Sequence, residues 1–212
     1  MKIMLIRHGE TNHNLENRMS GWTEAVLSDK GIRQAEALGR CLAGENPDKV
    51  ITSGMKRTDH TAQLVFPTAL QQNRIEIMEN LKEMHFGTLE GMTMDEIRDQ
   101  HTDEYTQLME KRGRYTFPGG ESLYSFHHRV SEAAKELLIC SKKANACQIA
   151  VVAHSGTIRS LLAHWIANDW QAHWRFQIDH CSISVISFHD TFPVLQGCND
   201  THHLTDLNDL SG

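Results

Sequence analysis

The chain has 212 residues, enough for one domain that buries a sizeable core without staples. Hydrophobic residues make up 40% and charged residues 23%, and 21 Lys and Arg stand against 27 Asp and Glu for a net charge of −6. That balance leaves no overall basic field to meet nucleic acid or an anionic membrane, so neither is an expected partner, although a local basic pocket for one phosphate is compatible with it.

No run approaches the length of a membrane span, and the apolar part of the N-terminus meets Arg7 too soon for a signal peptide. Five cysteines without a CxxC pair read as reduced thiols used as small hydrophobes, which makes the cytoplasm the expected location.

In chain order, residues 3–6 form an apolar strand that ends in Arg7-His8-Gly9. A helix opens near Ser28, shows its buried face through Ala35, Leu38, Gly39 and Leu42, and is expected to close at Gly44. Residues 50–52 form a second strand, followed by a helix that Ser53 is placed to cap and that carries Arg57 in its first turn. Residues 75–78 form a third strand and lead to a segment bearing two carboxylates, Glu83 and Glu90.

Residues 92–118 are more polar and read as a small helical cap that closes at Pro118-Gly119-Gly120. A long helix follows through Leu123, Phe126, Val130, Ala133, Leu137 and Leu138. Strand 149–153 leads to His154-Ser155-Gly156-Thr157 and a helix with an apolar stripe of Ile158, Leu161, Leu162, Trp165 and Ile166. Residues 183–188 form a last strand. The alternation implies a three-layer α/β/α fold on a mostly parallel sheet, with one domain over residues 1–198 and a tail, 199–212, open to disorder.

Three strand-to-helix junctions therefore each deliver a cation to the carboxyl edge of a parallel sheet, where α/β proteins bind ligands. Arginine offers a two-pronged donor to a phosphate, and a neutral imidazole can attack phosphorus. Taken singly, Arg57 reads equally as a surface arginine, His154 as a satisfied structural histidine, and Glu83 and Glu90 as solvated carboxylates.

Together these pieces resemble the histidine phosphatase, or phosphoglycerate mutase-like, superfamily. Arg7-His8-Gly9 matches its signature, Arg57 with Thr58, Thr61 and Ala62 its second arginine motif, and Glu83 with Phe86-Gly87 and Glu90-Gly91 its acid motif. His154 matches its second histidine, and Pro118-Gly119-Gly120-Glu121-Ser122 is a further match. Ser155 departs from a more frequent glycine, and Ser28-Asp29 from a more usual Leu-Thr context.

The resemblance implies a phosphomonoester hydrolase with His8 as nucleophile and Glu83 as proton donor and then base. Arg7, Arg57 and a protonated His154 would hold the phosphoryl oxygens, and Asn14, Ser20, Gly21 and Ser155 complete the implied phosphate- and substrate-binding set. Two guanidiniums and an imidazolium supply the positive charge, so no metal or cofactor is expected. The pairs His127-His128 and His202-His203 point apart on a helix and suit no single ion.

Within the superfamily, the length, the turn at 118–122 and the region 165–188 resemble the alpha-ribazole phosphatase branch of cobalamin biosynthesis. A broad sugar or small-molecule phosphatase, a phosphoglycerate mutase and an inactive phospho-ligand binder are the alternatives, in that order. The expected partner is a small-molecule phosphate ester, with a homodimer left open. Trp22, Tyr105, Tyr115 and Phe117 either line an aromatic pocket or pack under the cap, and the basic cluster 111–114 is either a solvated face or an anion attractor.

Overall fold

β1 (Lys2–Arg7) is followed by a single helical turn, α1 (Asn12–Leu15), and by α2 (Asp29–Cys41). Then come β2 (Lys49–Thr52), α3 (Lys56–Val65), α4 (Pro67–Gln71) and β3 (Ile75–Ile77). α5 (Met94–Gln100) and α6 (Thr102–Lys111) form the cap, and α7 (Leu123–Lys143), β4 (Gln148–Ala153) and α8 (Ser155–Leu162) follow. β5 (Ile183–His189) and β6 (Phe192–Asp200) end the sheet. The structure, a computed structural model, describes residues 1–143 and 146–205.

The sheet order is β3-β2-β4-β1-β5-β6. The first four strands are parallel, while β5 runs antiparallel to β1 and β6 antiparallel to β5. Side chains alternate between the faces of the sheet, so the core splits in two. Ile3 and Leu5 of β1 join Ile149 and Val151 of β4 beneath α7 and α8, whereas Met4, Ile6, Ala150 and Val152 pack against α2, α3 and α4. This is the expected three-layer α/β/α arrangement, and residues 92–118 form the expected cap on a small core of Leu89, Ile97, Tyr115 and Phe117.

Several details differ from the sequence reading. α2 opens at Ser28, whose hydroxyl accepts from Gly31 N, but it ends at Cys41 with Leu42 as its cap, before Gly44. The N-cap of α3 is Met55, without a side-chain bond, because Ser53 is drawn toward His154 instead. After α8 the chain widens into a π-type turn over Ala163–Ala167, which shifts the phase of the apolar stripe and turns Ile166 outward.

β6 was not anticipated. It is an edge strand of alternating half-buried and exposed residues with Pro193 near its start, a proline that an edge position tolerates. The chain after Asn199 is built in for six more residues: β6 reaches Asp200 and Leu204 is buried against the α2 side of the core. Residues 206–212 of the expected tail lie outside the described residues. No helix among the described residues is long and apolar enough to cross a membrane.

Candidate active site

Register brings the two histidines together. β1 pairs with β4 so that Arg7 lies opposite Ala153, and one residue further His8 and His154 leave the sheet side by side. The His8 amide donates to Ala153 O at 3.0 Å, and the two imidazoles meet edge to face with centroids 5.2 Å apart. β2 adds Thr52 opposite Val152, so Ser53 emerges next to His154.

His8 is almost fully buried, and its Nδ1 lies 2.7 Å from Gly9 O. A carbonyl can only accept, so Nδ1 carries the hydrogen and Nε2 keeps its lone pair. Nε2 has no protein partner among the described residues and retains access to solvent. Burial, with Arg57 and Arg7 nearby, pushes the His8 pKa well below its ordinary value, which holds the ring neutral.

Gly9 does not offer its amide to a ligand, because that amide donates to Thr61 Oγ1 at 3.1 Å. Its lack of a side chain serves packing: a Cβ there would stand 2.5 Å from Gly31 O of α2.

Arg57 is 1% exposed and makes four hydrogen bonds, one fewer than its guanidinium can donate. Its terminal nitrogens donate to the carbonyls of Thr23, Ser20 and Gly21, and Nε donates to His154 Nδ1 at 3.2 Å. Arg7 donates to Ile178 O at 2.8 Å, and its Nε is buried without a partner. Among the described residues the partners of the two guanidiniums are carbonyls and imidazoles, and neither forms an ion pair with a carboxylate. Burial accordingly lowers both pKa values, that of Arg7 to about 10, and an anion entering the site would relieve the deficit.

His154 corrects one expectation. Its Nδ1 accepts from Arg57, so the hydrogen sits on Nε2, 2.9 Å from Ser53 Oγ. The ring is therefore neutral, and burial beside Arg57 and His8 holds its pKa well below normal. The imidazolium expected from the family resemblance is not what this geometry holds.

Glu83 is held by two amides, Oε1 by Met84 N at 2.8 Å and Oε2 by Gly156 N at 2.9 Å. The second bond explains why α8 has glycine at 156: a Cβ there would stand 2.3 Å from Glu83 Oε1. Glu121 of the 118–122 turn accepts from His85 N and from two Arg129 nitrogens, while Arg129 also donates to Glu83 O. That turn is therefore the buttress of the segment carrying Glu83. Glu90, the other candidate acid, accepts from the amides of Gly21, Trp22, Thr23 and Phe86, which ties down the loop whose carbonyls hold Arg57.

The remaining expected residues divide. Asn14 Oδ1 caps α1 through Thr11 and lies 3.0 Å from His180 Nε2 at the site. Ser20 Oγ faces His13, and both backbone groups of Gly21 are taken by Glu90 and Arg57. Ser155 is partly exposed at the start of α8. Tyr115 and Phe117 pack under the cap with Tyr105, whereas Trp22 is exposed and stacks on His85 beside Glu83.

The sequence reading missed His180. Its Nε2 is 2.7 Å from an Arg7 terminal nitrogen, and its ring is 5.9 Å from that of His8. Burial and Arg7 lower its pKa to about 3. Because β5 is antiparallel to β1, residues just before β5 reach the same edge as residues just after β1. A reading confined to strand ends overlooks strand beginnings.

A sequence profile of the histidine phosphatase superfamily (branch 1) matches residues 3–201. The chain belongs to that superfamily. It is 31% identical over 199 residues to an adenosylcobalamin/alpha-ribazole phosphatase of Escherichia coli K12, covering 94% of this chain and 96% of the relative. It is 28% identical over 206 residues to phosphoserine phosphatase 1 of Hydrogenobacter thermophilus, covering 96% and 94%. The crystal structure of the alpha-ribazole phosphatase from Shigella flexneri superposes with a TM-score of 0.87 at 29% identity, over 95% of this chain and 97% of that one.

Proposed function

We propose that this histidine phosphatase hydrolyses a phosphomonoester through phospho-His8. The observation that carries the reading is a neutral imidazole with a free Nε2 lone pair, set between two guanidiniums of which neither makes an ion pair with a carboxylate among the described residues. A phosphate dianion supplies the missing negative charge, and Nε2 attacks phosphorus in line. Arg7 and Arg57 stabilise the equatorial oxygens as charge spreads over them. His180 Nε2 accepts from Arg7 at 2.7 Å and so orients that guanidinium, with Asn14 beside it.

Glu83 protonates the leaving oxygen and then takes a proton from the water that cleaves phospho-His8. The Gly156 and Met84 amides fix its carboxylate for both steps. His154 enters neutral, as the group that aligns Arg57, and is able to gain a proton once the dianion is bound.

We assign alpha-ribazole 5′-phosphate as the substrate. Its support is the full-length similarity to alpha-ribazole phosphatases. A second reading, a phosphoserine phosphatase, rests on equally complete coverage of that relative.

Steady-state hydrolysis of alpha-ribazole 5′-phosphate, phosphoserine, 3-phosphoglycerate and p-nitrophenyl phosphate tests both. The first substrate is expected to show the highest kcat/KM, with EDTA leaving every rate unchanged. Preference for phosphoserine would transfer the assignment, and loss of all four activities in EDTA would overturn the mechanism.

A further inference from the structure

A second group of reactive side chains lies at the other end of β1, six residues and roughly 20 Å from His8. Cys41, the exposed last residue of α2, has its Sγ 3.5 Å from His202 Nε2. On the far side of that ring, His202 Nδ1 lies 2.8 Å from Asp200 Oδ1, and the same oxygen accepts from the His202 amide at 3.0 Å. Asp200 thus fixes both the ring and its tautomer: Nδ1 carries the hydrogen, and Nε2 offers a lone pair to the thiol. A base oriented by a carboxylate and aimed at a sulfur is the arrangement that activates a nucleophile.

The surroundings leave room for a reactant. Cys41, His202 and Asp200 border an open cleft of about 350 Å³ with Met4, Ile183 and Leu42 among its apolar walls. Lys2 and Glu45, paired at 3.5 Å, stand at the same cleft and offer one charge of each sign. The charged and titratable groups that border the cleft with the thiol are Lys2 of β1, Glu45 beyond α2, Asp200 and His202, while Arg40 precedes Cys41 in α2 and His203 follows His202 in sequence. The carbonyl end of α2 opposes a thiolate but favours the imidazolium beside it.

Two other cysteines provide internal controls. Cys198 is exposed, with a Ser184 hydroxyl 3.9 Å away, and Cys181 is buried, with its thiol pushed up to about 12 by desolvation.

We propose that Cys41 is a thiol-modification site, activated by His202 and Asp200, that takes small zwitterionic disulfides. The Cys41 proton passes to His202 Nε2, and the thiolate attacks one sulfur of the disulfide. The S–S bond breaks, the departing sulfur keeps the electron pair and takes the proton from the His202 imidazolium. The products are a mixed disulfide on Cys41 and one free thiol, so the incoming disulfide is itself the oxidant.

The test incubates the whole folded chain with oxidised glutathione at neutral pH and maps modified cysteines by peptide mass spectrometry over time. Cys41 is expected to react at least about threefold faster than Cys198, because His202 Nε2 is placed to take its proton whereas Cys198 has only a hydroxyl beside it. His202→Gln is expected to bring Cys41 down to the Cys198 rate, with turnover of p-nitrophenyl phosphate unchanged as the check on folding. Equal rates for the two cysteines in the unsubstituted chain, or a His202→Gln variant that keeps the fast rate, would overturn the proposal. The comparison within the unsubstituted chain decides the matter even where the variant fails to fold.

Discussion

Arg57 Nε donates to His154 Nδ1 at 3.2 Å, and this bond fixes the charge of the second histidine. An imidazole that accepts at Nδ1 must carry its hydrogen on Nε2, and Ser53 Oγ at 2.9 Å is there to receive it. The chain Arg57–His154–Ser53 is completed by Thr58, whose hydroxyl lies 3.0 Å from that of Ser53. A buried guanidinium is thereby held at one angle by a ring that is itself held on both sides.

Ser53→Ala removes one end of that chain and leaves a buried N–H without an acceptor. The expected loss of stability is about 1–3 kcal/mol, the desolvation cost of an unsatisfied buried group. The kcat is also expected to fall, because the His154 ring is then free to turn away from Arg57. Urea unfolding and steady-state kinetics on p-nitrophenyl phosphate check the two effects. An unchanged midpoint would show that the bond contributes nothing.

Gly156→Ala tests the placement of Glu83. The added methyl would stand 2.3 Å from Oε1, so the carboxylate must leave the Gly156 amide. Displacement of a catalytic group by about 1 Å costs on the order of 100-fold in rate. The loss is expected in kcat, with KM little changed, because phosphate binding rests on the arginines. It is expected to shrink for substrates with good leaving groups, which need no proton from Glu83. A loss of equal size for p-nitrophenyl phosphate and an alkyl phosphate would contradict that role.

Most of the site was legible because its groups follow strand ends in a parallel sheet, and Arg7, His8, Arg57 and His154 announce themselves there. The fold followed from the same alternation of short apolar runs with helical stripes. What escaped depended on antiparallel pairing or on partners distant in the chain. β6 is half exposed and broken by Pro193, so it lacks the continuous apolar run of a buried strand. His180 reaches the site only because β5 reverses direction, and the Glu121–Arg129 buttress becomes visible only once the 118–122 turn lies against residues 82–85. The neutral state of His154 could not be read from sequence, since it is set by which nitrogen Arg57 meets.

The buried neutral histidines give stability a defined pH dependence. His173, 3.0 Å from Ser160 Oγ, and His180 both have pKa values lowered to about 3 by burial and a nearby arginine. Unfolded, each would titrate near 6.5. Between those values the unfolded chain binds more protons than the folded one, so stability rises with pH and falls on acidification. Each group contributes up to about 1.4 kcal/mol per pH unit below 6.5. Urea midpoints are expected to drop from pH 7 to pH 5, and His173→Gln, remote from His8, is expected to reduce the slope. A flat profile over that range would remove the premise that these rings stay neutral.

The most direct test of the whole account is the position of phosphate on the trapped enzyme. Rapid acid-free quenching during turnover, followed by peptide mapping and ³¹P NMR, should find one acid-labile phosphate on His8, attached at Nε2 because Nδ1 is committed to Gly9 O. Label on Nδ1, label on another residue, or turnover by His8→Ala at a near-normal rate would contradict it.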